Sequence, residues 1–139
     1  MSHITVKILI GKDDTMKIPE HYLPVMPYLI LKDTATFIHY TRKVFDAKEH
    51  LIVRDDNDGI RHGEIKIHDA LIMFGNAGGE WKEKTAAMYL HVDDVDRIYE
   101  TALQNDGKSL HPPVKQDYGY TAGFEDPCGN YWFIVQAEN

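Results

Sequence analysis

Tyr28-Leu29-Ile30-Leu31-Lys32-Asp33 and Tyr89-Leu90-His91-Val92-Asp93-Asp94 stand 61 positions apart and echo one another. Each is a short apolar run, the signature of a buried strand, and each closes on an acidic residue suited to capping a helix N-terminus, Asp33 in the first and Asp93 or Asp94 in the second. After the first copy, Phe37, Ile38, Thr41, Val44 and Phe45 recur at helical spacing. After the second, Val95, Ile98, Tyr99, Ala102 and Leu103 do the same, and Asn105-Asp106-Gly107 ends the helix.

Working outward, the first strand extends back to Val25. Its helix is followed by strands at His50–Arg54, Glu64–Ile67 and Ala70–Phe74, with turns at Asp55–Gly59 and at His68-Asp69. In the second half, strands fit around Val114, at Tyr120–Phe124 and at Tyr131–Gln136, and Asp126-Pro127-Cys128-Gly129-Asn130 turns between the last two. The order β-α-β-β-β therefore occurs twice, an α+β arrangement of two modules at about 25–76 and 86–137. Residues 19–139 are expected to form a single domain. Residues 1–18, with the alternating Ile4–Ile8, are an N-terminal extension or an extra strand, and Met16 is an alternative natural start. Each helix covers one face of a four-stranded sheet, so the other face needs a partner. A curved mixed sheet around a cavity is expected, with the modules paired within the chain or across a homodimer.

A length of 139 residues suits one compact domain. Cys128 is the single cysteine, which excludes an intrachain disulfide and points to the cytoplasm. A formal charge of -7 argues against nucleic acid, which calls for a basic face, and favours cationic ligands. No apolar run approaches the roughly 20 residues of a membrane helix, so no membrane partner is expected.

The paired modules, with Val25-Met26-Pro27-Tyr28-Leu29, His62-Gly63-Glu64-Ile65-Lys66-Ile67, Leu90–Asp96 and Glu125–Trp132 in that order, resemble the vicinal oxygen chelate superfamily. That superfamily includes glyoxalase I, bleomycin-resistance proteins, fosfomycin-resistance enzymes and extradiol dioxygenases. The resemblance covers roughly Lys17 to Gln136 and is nearest to the PhnB-like branch. A departure from that branch is Tyr118-Gly119-Tyr120-Thr121, which lacks the branch's charged Gly-Asp-Arg stretch.

In metal-using members the resemblance implies one His, Gln or Glu ligand from each of four strands. Those positions fall on Met26, Met73, Ala87 and Phe133. None can hold a hard divalent ion. A shift of one residue gives Val25, Ile72, Ala86 and Trp132, or Pro27, Phe74, Met88 and Ile134, and these fail equally. No metal and no cofactor are expected.

Strand alternation then lines the cavity with Met26, Tyr28, Met73, Ala87, Tyr89, His91 and Phe133, joined by Tyr118 and Tyr120, a wall suited to a small organic ligand. The catalytic candidates are His91, His62 and Glu64. The last two share a strand face, either as an acid/base pair or as an ordinary surface pair. His111 is expected in a loop, and Cys128 as a structural thiol. The leading expectation is a metal-independent binding protein that sequesters an organic drug or metabolite. The alternatives are an enzyme of the superfamily, metal-free or with a displaced metal site, and a structural dimer. Whether the protein is an enzyme stays open.

Overall fold

The structure, a computed structural model, describes residues 16–138. The expected extra strand at Ile4–Ile8 lies outside the described residues. The elements run β1 (Tyr28–Leu31), α1 (Thr34–Phe45), β2 (Lys48–Arg54), β3 (Ile60–Ile67), β4 (Ala70–Asn76), then β5 (Ala87–Val92), α2 (Val95–Gln104), β6 (Lys108–Gln116), β7 (Gly119–Glu125) and β8 (Tyr131–Gln136). This is the doubled β-α-β-β-β order. The sheets are ordered β1-β4-β3-β2 and β5-β8-β7-β6, each mixed because β1 pairs parallel with β4 and β5 parallel with β8.

Both repeated aspartates cap their helices. Asp33 Oδ1 accepts from the Thr36 N–H at 3.0 Å, and Asp94 Oδ1 accepts from the Arg97 N–H at 3.1 Å. The first strand starts at Tyr28 rather than Val25, because Pro24 and Pro27 cannot donate to a ladder. Residues 16–27 instead form an irregular segment that holds on by the Pro27 carbonyl, which accepts from the Met73 N–H at 3.1 Å. His111 lies inside β6, not in a loop. That strand is at the sheet edge, where Pro112-Pro113 can be tolerated, and its register slips between His111 and Val114.

The modules meet through their helix-bearing faces. The Phe37 ring stacks on the Trp132 indole at 6.5 Å, and Phe45 lies 4.6 Å from the same indole. The Tyr40 hydroxyl donates to the Ala102 carbonyl at 3.1 Å. Leu29, Leu31, Phe74, Phe124 and Ile134 join this core, so one apolar cluster serves both halves. The cavity expected between two helix-free faces is therefore not formed by pairing within the chain. Those faces leave Tyr28, Leu51, Tyr89, Val114 and Tyr131 exposed. Paired residues point to the same side of a sheet, so the register places all five there.

Candidate functional site

Two recesses and one side-chain cluster lie near β1. The larger recess, about 590 Å³, forms where residues 21–27 and the β3–β4 hairpin approach the edge strand β5. Its wall is apolar, built from Leu23, Met26, Leu71, Met88, Leu90 and Trp132, with His21, Asp69, Tyr89 and His91 at its polar edges. The Tyr89 and His91 rings meet edge to face at 5.7 Å. The smaller recess, about 520 Å³, lies at the other end of β1 and is lined by Tyr28, Asp55, Arg61, Gly75, Asn76 and Trp81, among others.

Of the residues expected to line one cavity, Met26, Tyr89 and His91 come together in the larger recess. Tyr28 faces the smaller one. Met73 pairs with Tyr28, Ala87 with Tyr131 and Phe133 with Tyr89, so these lie on the helix-free faces outside both recesses. Tyr118 is exposed in the β6–β7 turn. Tyr120 points the other way: its hydroxyl donates to Asp96 Oδ1 on α2 at 2.6 Å, so it belongs to the helix side of β7. Leu23, Met88 and Leu90 were not singled out from the sequence. Alternation alone assigns Met88 and Leu90 to the core, and the recess reaches them because β5 is an edge strand.

The positions at which the resemblance implies metal ligands bring no imidazole or carboxylate to the helix-free faces. Met26 Sδ instead accepts from the Leu23 N–H at 3.3 Å. Among the described residues no group of three or more His, Cys, Asp or Glu is placed to hold a metal ion. The donor set does not fit a divalent cation.

His62 and Glu64 do not form an ordinary surface pair. Glu64 is 1% exposed. Its Oε2 accepts from the Tyr22 hydroxyl at 2.6 Å and from His62 Nε2 at 2.7 Å. Among the described residues its Oε1 has no hydrogen-bond partner, and His50 Nε2 stands 3.9 Å away. Burial works to raise the Glu64 pKa, but the hydrogen bonds from Tyr22 and His62, with the His62 and His50 rings close by, hold it below its ordinary 4.5. The carboxylate therefore contributes stability that is present above about pH 4.5 and lost as pH falls through the lowered folded-state value. A Glu64→Gln variant, compared with the parent by urea unfolding at a series of pH values, should show a shallower loss of stability on acidification. Equal slopes would contradict the ionised, hydrogen-bonded state.

The turn after β7 is structural. Asp126 accepts four hydrogen bonds: from the Cys128 and Asn130 N–H groups, the Asn130 side-chain amide and the Trp132 indole N–H, at 2.8–3.0 Å. Burial, with Asp126 and Asp33 nearby, pushes the Cys128 thiol up to about 12, so it is not a thiolate nucleophile at neutral pH.

The fold is shared with solved structures of low sequence identity. The PhnB protein of Bacillus cereus, described as a putative 3-demethylubiquinone-9 3-methyltransferase, superposes with a TM-score of 0.66 at 17% identity, covering 83% of this chain and 100% of that one. TnmS3, an antibiotic binding protein from Streptomyces sp. CB03234, gives 0.66 at 14% identity over 84% of this chain and 100% of that one. At such identities the superpositions establish the fold alone. An uncharacterized protein of Shewanella frigidimarina is 46% identical over 50 residues, which span 35% of this chain and 36% of that protein. No helix among the described residues is long and apolar enough to cross a membrane. The profile of the glyoxalase/bleomycin resistance protein/dioxygenase superfamily matches residues 20–134, and with the doubled β-α-β-β-β fold this establishes that the chain belongs to that superfamily.

Proposed function

We propose that this protein binds a small, largely apolar organic molecule without a metal, in the larger recess beside β5. The observation that carries the proposal is the recess itself. Its volume of about 590 Å³ falls in the range of about 300–1,000 Å³ typical of sites for drug-sized ligands, and apolar side chains make most of its wall. Tyr89, His91 and Asp69 supply a few polar contacts to orient the ligand. Asp69 and a net charge of -7 favour a neutral or cationic molecule. The absence of metal-ligand chemistry at Met26, Met73, Ala87 and Phe133 supports binding without a metal, and an antibiotic-binding protein of the same fold makes sequestration of a drug or metabolite a natural role. The His62-Gly63-Glu64 segment and the shared PhnB fold support a place beside the PhnB-like branch.

A homodimer is part of the proposal. The aromatic and aliphatic side chains left exposed on the helix-free faces are a surface that a second copy can cover. Light scattering on a chromatography column should give twice the 16.0 kDa chain mass.

The binding test is titration with a panel of cationic and neutral aromatic drugs, followed by tryptophan fluorescence, because Trp132 forms part of the recess wall. Leu23 is 58% exposed and lines the recess, so Leu23→Lys should leave the fold intact. By placing a positive charge in an apolar wall it should weaken neutral and cationic ligands alike, about tenfold or more, roughly 1.4 kcal/mol. No response from any member of the panel, or equal affinity in Leu23→Lys, sinks the proposal. Elemental analysis after incubation with nickel, zinc, manganese and ferrous iron should find far less than one equivalent per chain; a full equivalent would refute the metal-free part.

A further inference from the structure

Glu64 is an ionised carboxylate buried on the helix-free face of a sheet, with one oxygen unpaired among the described residues. Desolvating a carboxylate costs free energy, and here the hydrogen bonds from Tyr22 and His62 offset that cost through one oxygen alone. A well-packed apolar residue would serve stability as well, so the arrangement needs another account.

The hydrogen bonds around Glu64 order a second pair of groups. An ionised carboxylate can only accept, so the neutral form of His62 carries its proton on Nε2 and leaves Nδ1 as an acceptor. The Tyr28 hydroxyl stands 3.1 Å from that Nδ1 and donates to it. The chain Tyr28 O–H, His62 imidazole, Glu64 carboxylate thus runs from a half-exposed phenol to a buried anion. Its links follow the logic of a base oriented by a third group.

The exposed end of the chain opens on the smaller recess. Tyr28 lines it together with Gly75, and a Cβ at Gly75 would lie 3.2 Å from the Tyr28 hydroxyl, so the missing side chain leaves room around that oxygen. Asp55 also lines it, but its Oδ1 is taken up by the Asn57 and Gly59 N–H groups of its own turn, at 2.9 and 2.8 Å. Two other lining residues suggest what enters. Trp81 presents a 63%-exposed indole. Arg61 is the one arginine among the described residues without a carboxylate partner, since Arg42, Arg54 and Arg97 each have one. A guanidinium suits a carboxylate and an indole suits a flat group.

We propose that Tyr28, His62 and Glu64 form a metal-free proton relay, and that the recess of Arg61 and Trp81 presents to it a small 2-oxo acid. The carboxylate of the substrate rests on Arg61, and the carbon beside its carbonyl faces the Tyr28 hydroxyl. As the C–H bond breaks, its proton joins the Tyr28 oxygen while the phenol's own proton moves to His62 Nδ1. The electron pair left on carbon passes into the carbonyl oxygen as an enolate, and the new imidazolium is paired with Glu64. Reversal returns a proton from the Tyr28 hydroxyl to the carbon. Tyr28 is the catalytic residue; His62 and Glu64 position and poise it. This site is separate from the recess beside β5, and neither proposal depends on the other.

The test is loss of the methylene proton signal of 2-oxobutanoate in D2O, followed by NMR. The intact protein should exchange these protons faster than buffer alone. Tyr28→Phe removes only a half-exposed hydroxyl and should slow kcat about a hundredfold or more, the usual scale for a positioned acid/base group. Glu64→Gln should lower kcat with KM unchanged and alter the pH dependence of kcat; partial unfolding, which also lowers apparent kcat, would leave the shape of that pH profile as it was, and circular dichroism checks the fold. Arg61→Gln, at an exposed position, should raise KM and leave kcat nearly intact. Exchange no faster than buffer, less than tenfold slowing in Tyr28→Phe, unchanged kcat in Glu64→Gln, or unchanged KM in Arg61→Gln would each overturn the assignment.

Discussion

Asp126→Ala is expected to lower the free energy of unfolding by about 3–5 kcal/mol. The carboxylate is 4% exposed and gathers the Cys128 and Asn130 N–H groups, the Asn130 amide and the Trp132 indole N–H around it. Removing it strands these donors, several of them buried, and each buried unpaired group costs about 1–3 kcal/mol. The loss extends beyond the turn. Asn130 is fully buried and its side-chain oxygen accepts from the Ala86 N–H at 3.0 Å, so this turn also fastens the start of β5 to β8. Asp126→Asn keeps the volume and one acceptor oxygen and should fall between the parent and the alanine variant. Urea unfolding measures all three. A cost below about 1 kcal/mol for Asp126→Ala would mean that backbone geometry, not the carboxylate, holds the turn.

Trp132→Ala should cost about as much, 3–5 kcal/mol, for a different reason. The indole is 1% exposed and lies against Phe37 and Phe45 from the other module. Truncation leaves a hole at the joint between two halves that share one core, and neither half can close it without moving the other. Trp132→Phe should recover a large part of the loss, because it refills much of the volume while giving up the hydrogen bond to Asp126. Since Trp132 and Asp126 touch, Trp132→Ala with Asp126→Ala should destabilise by less than the two single effects together. Additive costs would show that the turn and the joint are energetically separate. The indole also forms part of the recess wall beside β5, so the same variant should weaken any ligand bound there.

The two readings of function divide the surface around β1 between them. The recess beside β5 has the size and apolar wall of a binding site, and the recess at the far end of β1 has the ionisable groups of a reactive one. The sequence placed His62 and Glu64 on one strand face, which β3 bears out, but no local pattern shows whether such a pair is wet or buried. Its burial depends on Tyr22, which reaches Glu64 across 42 positions from the segment before β1. Tyr28 meets His62 across 34 positions, and nothing in the period of either strand announces that contact.

What the sequence determined by itself is the set of features written in near neighbours. The echo of Tyr28–Asp33 in Tyr89–Asp94 announced two equal modules, and both aspartates became helix caps because a cap needs only its own first turn. The apolar spacing of Phe37 to Phe45 located a helix. Met26, Met73, Ala87 and Phe133, the positions the resemblance implies for metal ligands, carry no hard-metal donor, which is legible in the sequence since donor chemistry belongs to the residue and not to its surroundings. The tertiary structure alone decided which faces meet. Alternation separates Leu29 and Leu31 from Tyr28 and Ile30, yet both sets are apolar, and period two does not say which will find a partner. Packing Phe37 and Phe45 on Trp132 settled it, and that contact joins residues nearly a hundred positions apart, where the path of the whole chain, not local spacing, sets the distance.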